Sequence, residues 1–129
     1  MNKRCAFTMV ELLIVVLIIG ILVSVAVPNY YRSLERAKCS QALHNLKTMR
    51  GAMLTYHREN QTFVGADLAA ISALVNATFA SNSDWTYAVV PTASTFTLTA
   101  TRLTGTHKTK TITLNQNEAW TGTYDTANP

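Results

Sequence analysis

Phe7-Thr8-Met9-Val10-Glu11-Leu12-Leu13-Ile14-Val15-Val16-Leu17-Ile18-Ile19-Gly20-Ile21-Leu22-Val23-Ser24-Val25-Ala26-Val27-Pro28 decides the fold of this chain. From Leu12 to Val27 there is no charge, and only Gly20 and Ser24 relieve the aliphatic run. As a helix, Phe7–Val27 is about 30 Å long, which matches the hydrocarbon thickness of a bilayer. Lys3 and Arg4 precede it with no acid among the first six residues. This bias favours a cytoplasmic N-terminus, with Arg32, Arg36 and Lys38 a weaker signal on the far side. Pro28 removes a backbone donor and crowds the preceding turn, so a bend is expected there.

The helical pattern continues past Pro28. Cys39, Ala42, Leu46, Met49, Met53 and Tyr56 recur at spacings of three and four and draw one apolar stripe, with Arg36, Lys47, Arg50 and Arg58 mostly off it. The reading is one helix from about Phe7 to about Arg58, apolar all round in its first half and amphipathic in its second. Glu59-Asn60-Gln61 closes it. A short helix is expected within Ala66–Ala80, and Ser81-Asn82-Ser83-Asp84 forms a turn.

Four strand-like runs follow, Trp85–Val90, Thr95–Arg102, Lys108–Leu114 and Ala119–Tyr124. In the second, Phe96, Leu98 and Ala100 alternate with threonines, the pattern of a half-buried strand. Residues 104–107 and 115–117 read as hairpin turns. The expected fold class is α+β, a long N-terminal helix packed on a small antiparallel sheet of three or four strands. Trp85, Tyr87, Trp120 and Tyr124 are expected in the core between sheet and helix. The segments are a leader at 1–6, a transmembrane helix at 7–28, its amphipathic continuation at 29–58 and a globular head at 59–129.

Glu11 interrupts the apolar pattern. A carboxylate near the middle of a membrane helix costs about 2.5–3.5 kcal/mol, and less near its end. Its retention points to pairing with a positive charge in the apolar zone. The natural partner is the α-amino group that cutting Ala6–Phe7 would free on Phe7. Residues four apart share a helix face, and between staggered helices one Glu11 can meet the amine of the next chain, which fixes register.

The string from Ala6 to Val16, with the basic leader before it, resembles the class III signal of type IV pilins and type II secretion pseudopilins. Gly20 and Pro28 fall where that family commonly carries glycine and proline. Ala6 stands where the family nearly always has glycine. The resemblance implies cleavage between Ala6 and Phe7 by a prepilin peptidase and N-methylation of Phe7. It implies a single-pass precursor in the inner membrane, and then assembly by a pilus machinery into an extracellular or periplasmic helical filament of like subunits. Glu11 would serve subunit assembly, and Gly20 and Pro28 would be points where the helix bends. Within the family a pilus subunit for adhesion, motility or DNA uptake is favoured over a pseudopilin. The last thirty residues hold only Glu118 and Asp125, too few acids for the calcium loop common in major pseudopilins.

Other classes fit less well. An ordinary signal peptide cut near Ser24-Val25-Ala26, or a plain anchor for an unrelated domain, leaves Glu11 unexplained. No nucleophile motif, phosphate loop or metal spacing among His44, His57, His107 and Cys39 supports an enzyme or a cofactor. Those histidines read as surface or satisfied residues, and Cys39 as a small residue on a helix face. Cys5 and Cys39 flank the membrane segment, so an intrachain disulfide is not expected. The net charge of +4 in 129 residues is too small to argue for nucleic acid by itself. Arg102, His107, Lys108 and Lys110 nevertheless cluster around one turn, and Arg102, Lys108 and Lys110 are candidate contacts for DNA or a surface.

Overall fold

A computed structural model describes residues 7–77, 79 and 82–126. Helix α1 spans Met9–Asn60 and contains Pro28. Helix α2 spans Leu68–Val75. The strands are β1 (Trp85–Pro91), β2 (Phe96–Arg102), β3 (Thr111–Asn115) and β4 (Trp120–Gly122). They form one antiparallel sheet in the order β1-β2-β3-β4. This is the expected α+β architecture. The chain divides into two compact units, Met1–Glu35 and Arg36–Pro129.

In the first unit, the apolar side chains from Val10 to Val27 are exposed. The segment is long and apolar enough to cross a membrane. The Ser24 hydroxyl donates to Ile21 O at 2.7 Å, so its polar atom is satisfied within the helix, as a lipid environment requires. Ala6 and Cys5 lie outside the described residues, as do the rest of the leader.

In the second unit the apolar stripe on α1 is the buried face. Cys39, Ala42, Leu46, Met49, Ala52 and Met53 are buried, and Tyr56 is half-buried at the stripe's end. The same core receives Trp85 and Tyr87 of β1, Phe96, Leu98 and Ala100 of β2, and Ile112 and Leu114 of β3. Full burial of one such aliphatic side chain stabilises by about 1.5–3 kcal/mol. Register follows from the period of two. Leu98 stands opposite Val89 and Leu114, and Ala100 opposite Tyr87 and Ile112, so one face collects the apolar residues. The other carries threonines, with Thr101 between Thr86 and Thr111, and Thr99 beside Thr113. β-branched residues suit that pleated surface.

Polar atoms that enter the core find partners. Trp85 Nε1 donates to Lys38 O at 3.1 Å, and Asn45 Nδ2 donates to Tyr87 Oη at 2.9 Å. Burial pushes the Tyr87 hydroxyl pKa up, against the Asn45 hydrogen bond. Gln61 in left-handed conformation ends α1, and its N–H donates to His57 O at 2.8 Å. Asp67 caps α2, its carboxylate accepting from Ala70 N at 2.8 Å, and left-handed Asn76 closes that helix.

Several boundaries differ from the sequence reading. α2 is shorter than Ala66–Ala80 because cap residues stop it at both ends; Thr78 and Ala80 of that span, with Ser81 after it, lie outside the described residues. β3 begins at Thr111, since residues 103–110 form a longer loop with Gly105 and Thr109 at positive φ. β4 ends at Gly122, where Thr123 N and Tyr124 N both turn to Thr111 O. Trp120 is not a core residue. It lies on the edge strand and is 37% exposed.

Candidate functional site

The first candidate is the start of α1. Glu11 N donates to Thr8 Oγ1 at 3.2 Å, and Leu12 N donates to Thr8 O at 3.2 Å. Thr8 therefore caps the helix. Thr8-Met9-Val10-Glu11 has the threonine and glutamate spacing of a capping box. Glu11 lies in the first turn, where the helix dipole favours a negative charge. The cap thus fixes the turn that carries the carboxylate. Sequence reasoning singled out Glu11 and passed over Thr8, although the capping spacing was there to read. Phe7 is 72% exposed.

The second candidate is the loop between β2 and β3. Lys108 and Lys110 are exposed on it. Its backbone is tied by Thr109 N to Arg102 O at 2.8 Å, Arg102 N to Lys110 O at 2.9 Å and Lys110 N to His107 O at 3.0 Å. The His107 ring packs on Tyr124 at 5.0 Å between centroids, and Tyr124 packs on Trp85 at 5.3 Å. His107 is accordingly half-buried and not a plain surface histidine. Its Nδ1 has no hydrogen-bond partner among the described residues.

Arg102 does not belong with the exposed cations. It is 1% exposed, its guanidinium stacks 5.3 Å from the Trp85 ring, and its Nη1 donates to Asp84 Oδ1 at 2.9 Å and to Asp84 O at 3.1 Å. The residue ends β2 on the inward-facing register, so its side chain points into the fold. It is withdrawn as a surface contact and becomes part of the loop's foundation. Asp84 is the other part. Its Oδ1 also accepts from Lys38 Nζ at 2.8 Å and Thr104 Oγ1 at 3.1 Å. The Lys38 hydrogen bond, helped by those from Arg102 and Thr104 and opposed by burial, lowers the Asp84 carboxyl pKa to about 2. One carboxylate thus joins α1, the start of β1, the end of β2 and the root of the basic loop. Sequence reading saw Asp84 only as a turn residue, because nothing in its own neighbourhood names partners 46 and 18 residues away.

Among the described residues no group of three His, Cys, Asp or Glu side chains could hold a metal ion. What the arrangement offers is an apolar helix with a capped glutamate, and a braced loop that presents two lysines.

Comparison with known proteins places the chain in a family. Residues 1–27 match the prokaryotic N-terminal methylation motif. Residues 28–115 match the family described as type IV minor pilin ComP, DNA uptake sequence receptor. That match covers more than half of the chain, and the chain belongs to this family of type IV pilins. Relatives include the type IV major pilin protein PilA of Myxococcus xanthus, 42% identical over 61 residues, covering 47% of this chain and 28% of PilA. A fimbrial protein of Moraxella nonliquefaciens is 37% identical over 71 residues, covering 54% of this chain and 46% of that protein. The type II secretion system core protein G of Klebsiella pneumoniae is 30% identical over 77 residues, covering 60% and 54%. The chain therefore spans between about a quarter and a half of the length of these curated relatives. No solved structure matches it significantly.

Proposed function

We propose that this chain is a subunit of a type IV filament whose head holds DNA during uptake. The observation that carries the reading is the family match over residues 28–115, which takes in the head as far as the end of β3 and not only the N-terminal motif. For the same reason a pilus subunit is favoured over a secretion pseudopilin, the second reading that the resemblance to core protein G supports. No catalytic role is proposed.

The pathway follows from the N-terminal half. A prepilin peptidase cuts between Ala6 and Phe7, and the new Phe7 amine is methylated. The subunit waits in the inner membrane, N-terminus cytoplasmic, held by Leu12–Val27. The assembly machinery then draws it into a filament with like subunits. Glu11 pairs with the amine of a neighbouring subunit and sets the stagger. Gly20 and Pro28 are points where the helix yields during packing, since membrane helices tolerate such breaks when neighbours satisfy the freed backbone groups.

DNA is held by phosphate contacts from Lys108 and Lys110. Their exposure and the bracing beneath them support this. Reversing both charges, Lys108→Glu with Lys110→Glu, tests it. Filaments are expected to assemble normally, while DNA binding weakens and its dependence on salt falls by about one unit of slope per lysine. Unchanged DNA binding at several salt concentrations would rule the loop out.

A further inference from the structure

Trp120 stands half-exposed at the rim of the sheet, and no role assigned so far uses it. It faces Leu114 across the β3–β4 pair, so its side chain leaves the sheet on the core side. β4 is the edge strand, however, and the ring shares a hollow with Leu43 and Lys47 of α1. Two shallow hollows lie beside it. One, about 220 Å³, is lined by Leu43, Lys47, Trp120 and Thr126. The other, about 210 Å³, includes Tyr124 and Asp125. Both are smaller than the roughly 300–1,000 Å³ pockets that enclose drug-sized ligands. Each suits a single planar ring lying against the indole.

We infer that the Trp120 ring and Lys47 form a stacking platform for one unpaired nucleobase of a DNA strand, with Lys47 on the adjoining phosphate. The inference rests on the DNA-binding reading and adds a second, chemically different contact to it. Aromatic faces combined with cations are how proteins hold single strands without reading sequence. Lys47 Nζ lies 6.0 Å from the Trp120 ring centroid, at the outer limit of a cation–π contact. The ammonium is thus close enough to reach a phosphate beside a stacked base, and too far away to seal the ring. Of the two hollows, the one lined by Lys47 offers a cation to a phosphate, which selects that side.

The platform is held in place before any ligand arrives. Arg50, three residues beyond Lys47, donates from Nε and Nη2 to Gln116 O at 3.3 and 3.1 Å, tying α1 to the turn that leads into Trp120. Within that turn Asn115 Oδ1 accepts from Asn117 N at 2.9 Å and Ala119 N at 3.0 Å. The Lys108–Lys110 loop enters β3 at Thr111, and Trp120 pairs with Leu114, three residues along. That offset is about 10 Å, so a strand leaving the lysines reaches Trp120 within a few nucleotides.

The chain contains two tryptophans, and only Trp120 is exposed, since Trp85 is fully buried. Fluorescence therefore reports on the platform directly. The full chain in detergent micelles is titrated with a labelled twelve-residue oligothymidine, with a blunt duplex of mixed sequence, and with a neutral oligosaccharide. Oligothymidine is expected to quench the exposed tryptophan emission, and Trp120→Phe to abolish that quenching. Trp120→Ala should weaken oligothymidine binding about tenfold, with much of it rescued in Trp120→Tyr. Lys47→Gln should weaken it less and reduce its salt dependence. Duplex affinity, which depends on Lys108 and Lys110, serves as the separate readout. Wild-type duplex binding without oligothymidine quenching would overturn the platform and leave the DNA-binding reading standing. Quenching by the oligosaccharide alone would assign the platform to glycans and overturn it also. Absence of binding to either DNA would overturn both.

Discussion

Arg102 Nη1 lies 2.9 Å from Asp84 Oδ1, the arginine side chain 1% exposed and the aspartate 22%. A charge buried that deeply is tolerable only when its partner is in place. Lys38 reaches the same oxygen at 2.8 Å from α1. The pair therefore couples the long helix, the sheet and the root of the basic loop. Its loss is felt at all three.

Acid should weaken the head through Asp84. The folded carboxyl sits at about 2 against an ordinary 3.8, held down first by Lys38 and then by Arg102 and Thr104. A depressed carboxyl contributes its stability above the ordinary value and loses it as pH falls through the folded one. The unfolding free energy should be flat above about pH 5 and fall between about pH 4 and pH 2, by about 2 kcal/mol after allowance for partial exposure. Asp84→Asn should lower stability at pH 7 by about 2–4 kcal/mol, because it leaves the Arg102 charge uncompensated, and should flatten that acid limb. Urea unfolding of the full chain in micelles, followed across pH, checks both.

The stripe on α1 predicts a sharp contrast between neighbours. Leu46 is fully buried, and Leu46→Ala should cost about 2–5 kcal/mol. Lys47 is exposed one position on, and Lys47→Ala should change stability by less than about 0.5 kcal/mol. Equal losses in the two variants, measured by chemical denaturation, would contradict the assigned face.

Gly122 should not accept a side chain. It has φ +135°, and a Cβ there would collide with the Thr111 carbonyl across the strand pair. Gly122→Ala should lower stability by about 1–3 kcal/mol and loosen the β4 edge. Amide exchange at Tyr124, whose N–H donates to Thr111 O at 3.0 Å, should quicken in the same variant.

Glu11→Ala should leave membrane insertion intact and block filament formation, N-methylation of Phe7, or both. Sheared surface filaments and intact-mass analysis of the N-terminus separate these outcomes. Normal methylated filaments from Glu11→Ala would remove the pairing of carboxylate and amine from the assembly scheme.

The long helix, its apolar half, its buried stripe and the antiparallel sheet were all legible in the amino-acid pattern. Each rests on periodicity that repeats within a few residues: Leu12–Val27 without a charge, Leu46 to Met53 at helical spacing, Phe96 to Ala100 at strand spacing. Glu11 stands out for the same reason, as one charge inside a local pattern that excludes charge. Tertiary structure alone decided where Arg102 and Trp120 would lie. Arg102 read as exposed because it is a cation beside a turn, yet Asp84, Lys38 and Trp85 enclose it from distant parts of the chain. Trp120 read as core because it is large, aromatic and on a strand, yet its strand is the last in the sheet and the helix covers only part of the ring. Pattern records which face of an element a residue occupies. Whether anything lies against that face depends on which other element arrives there.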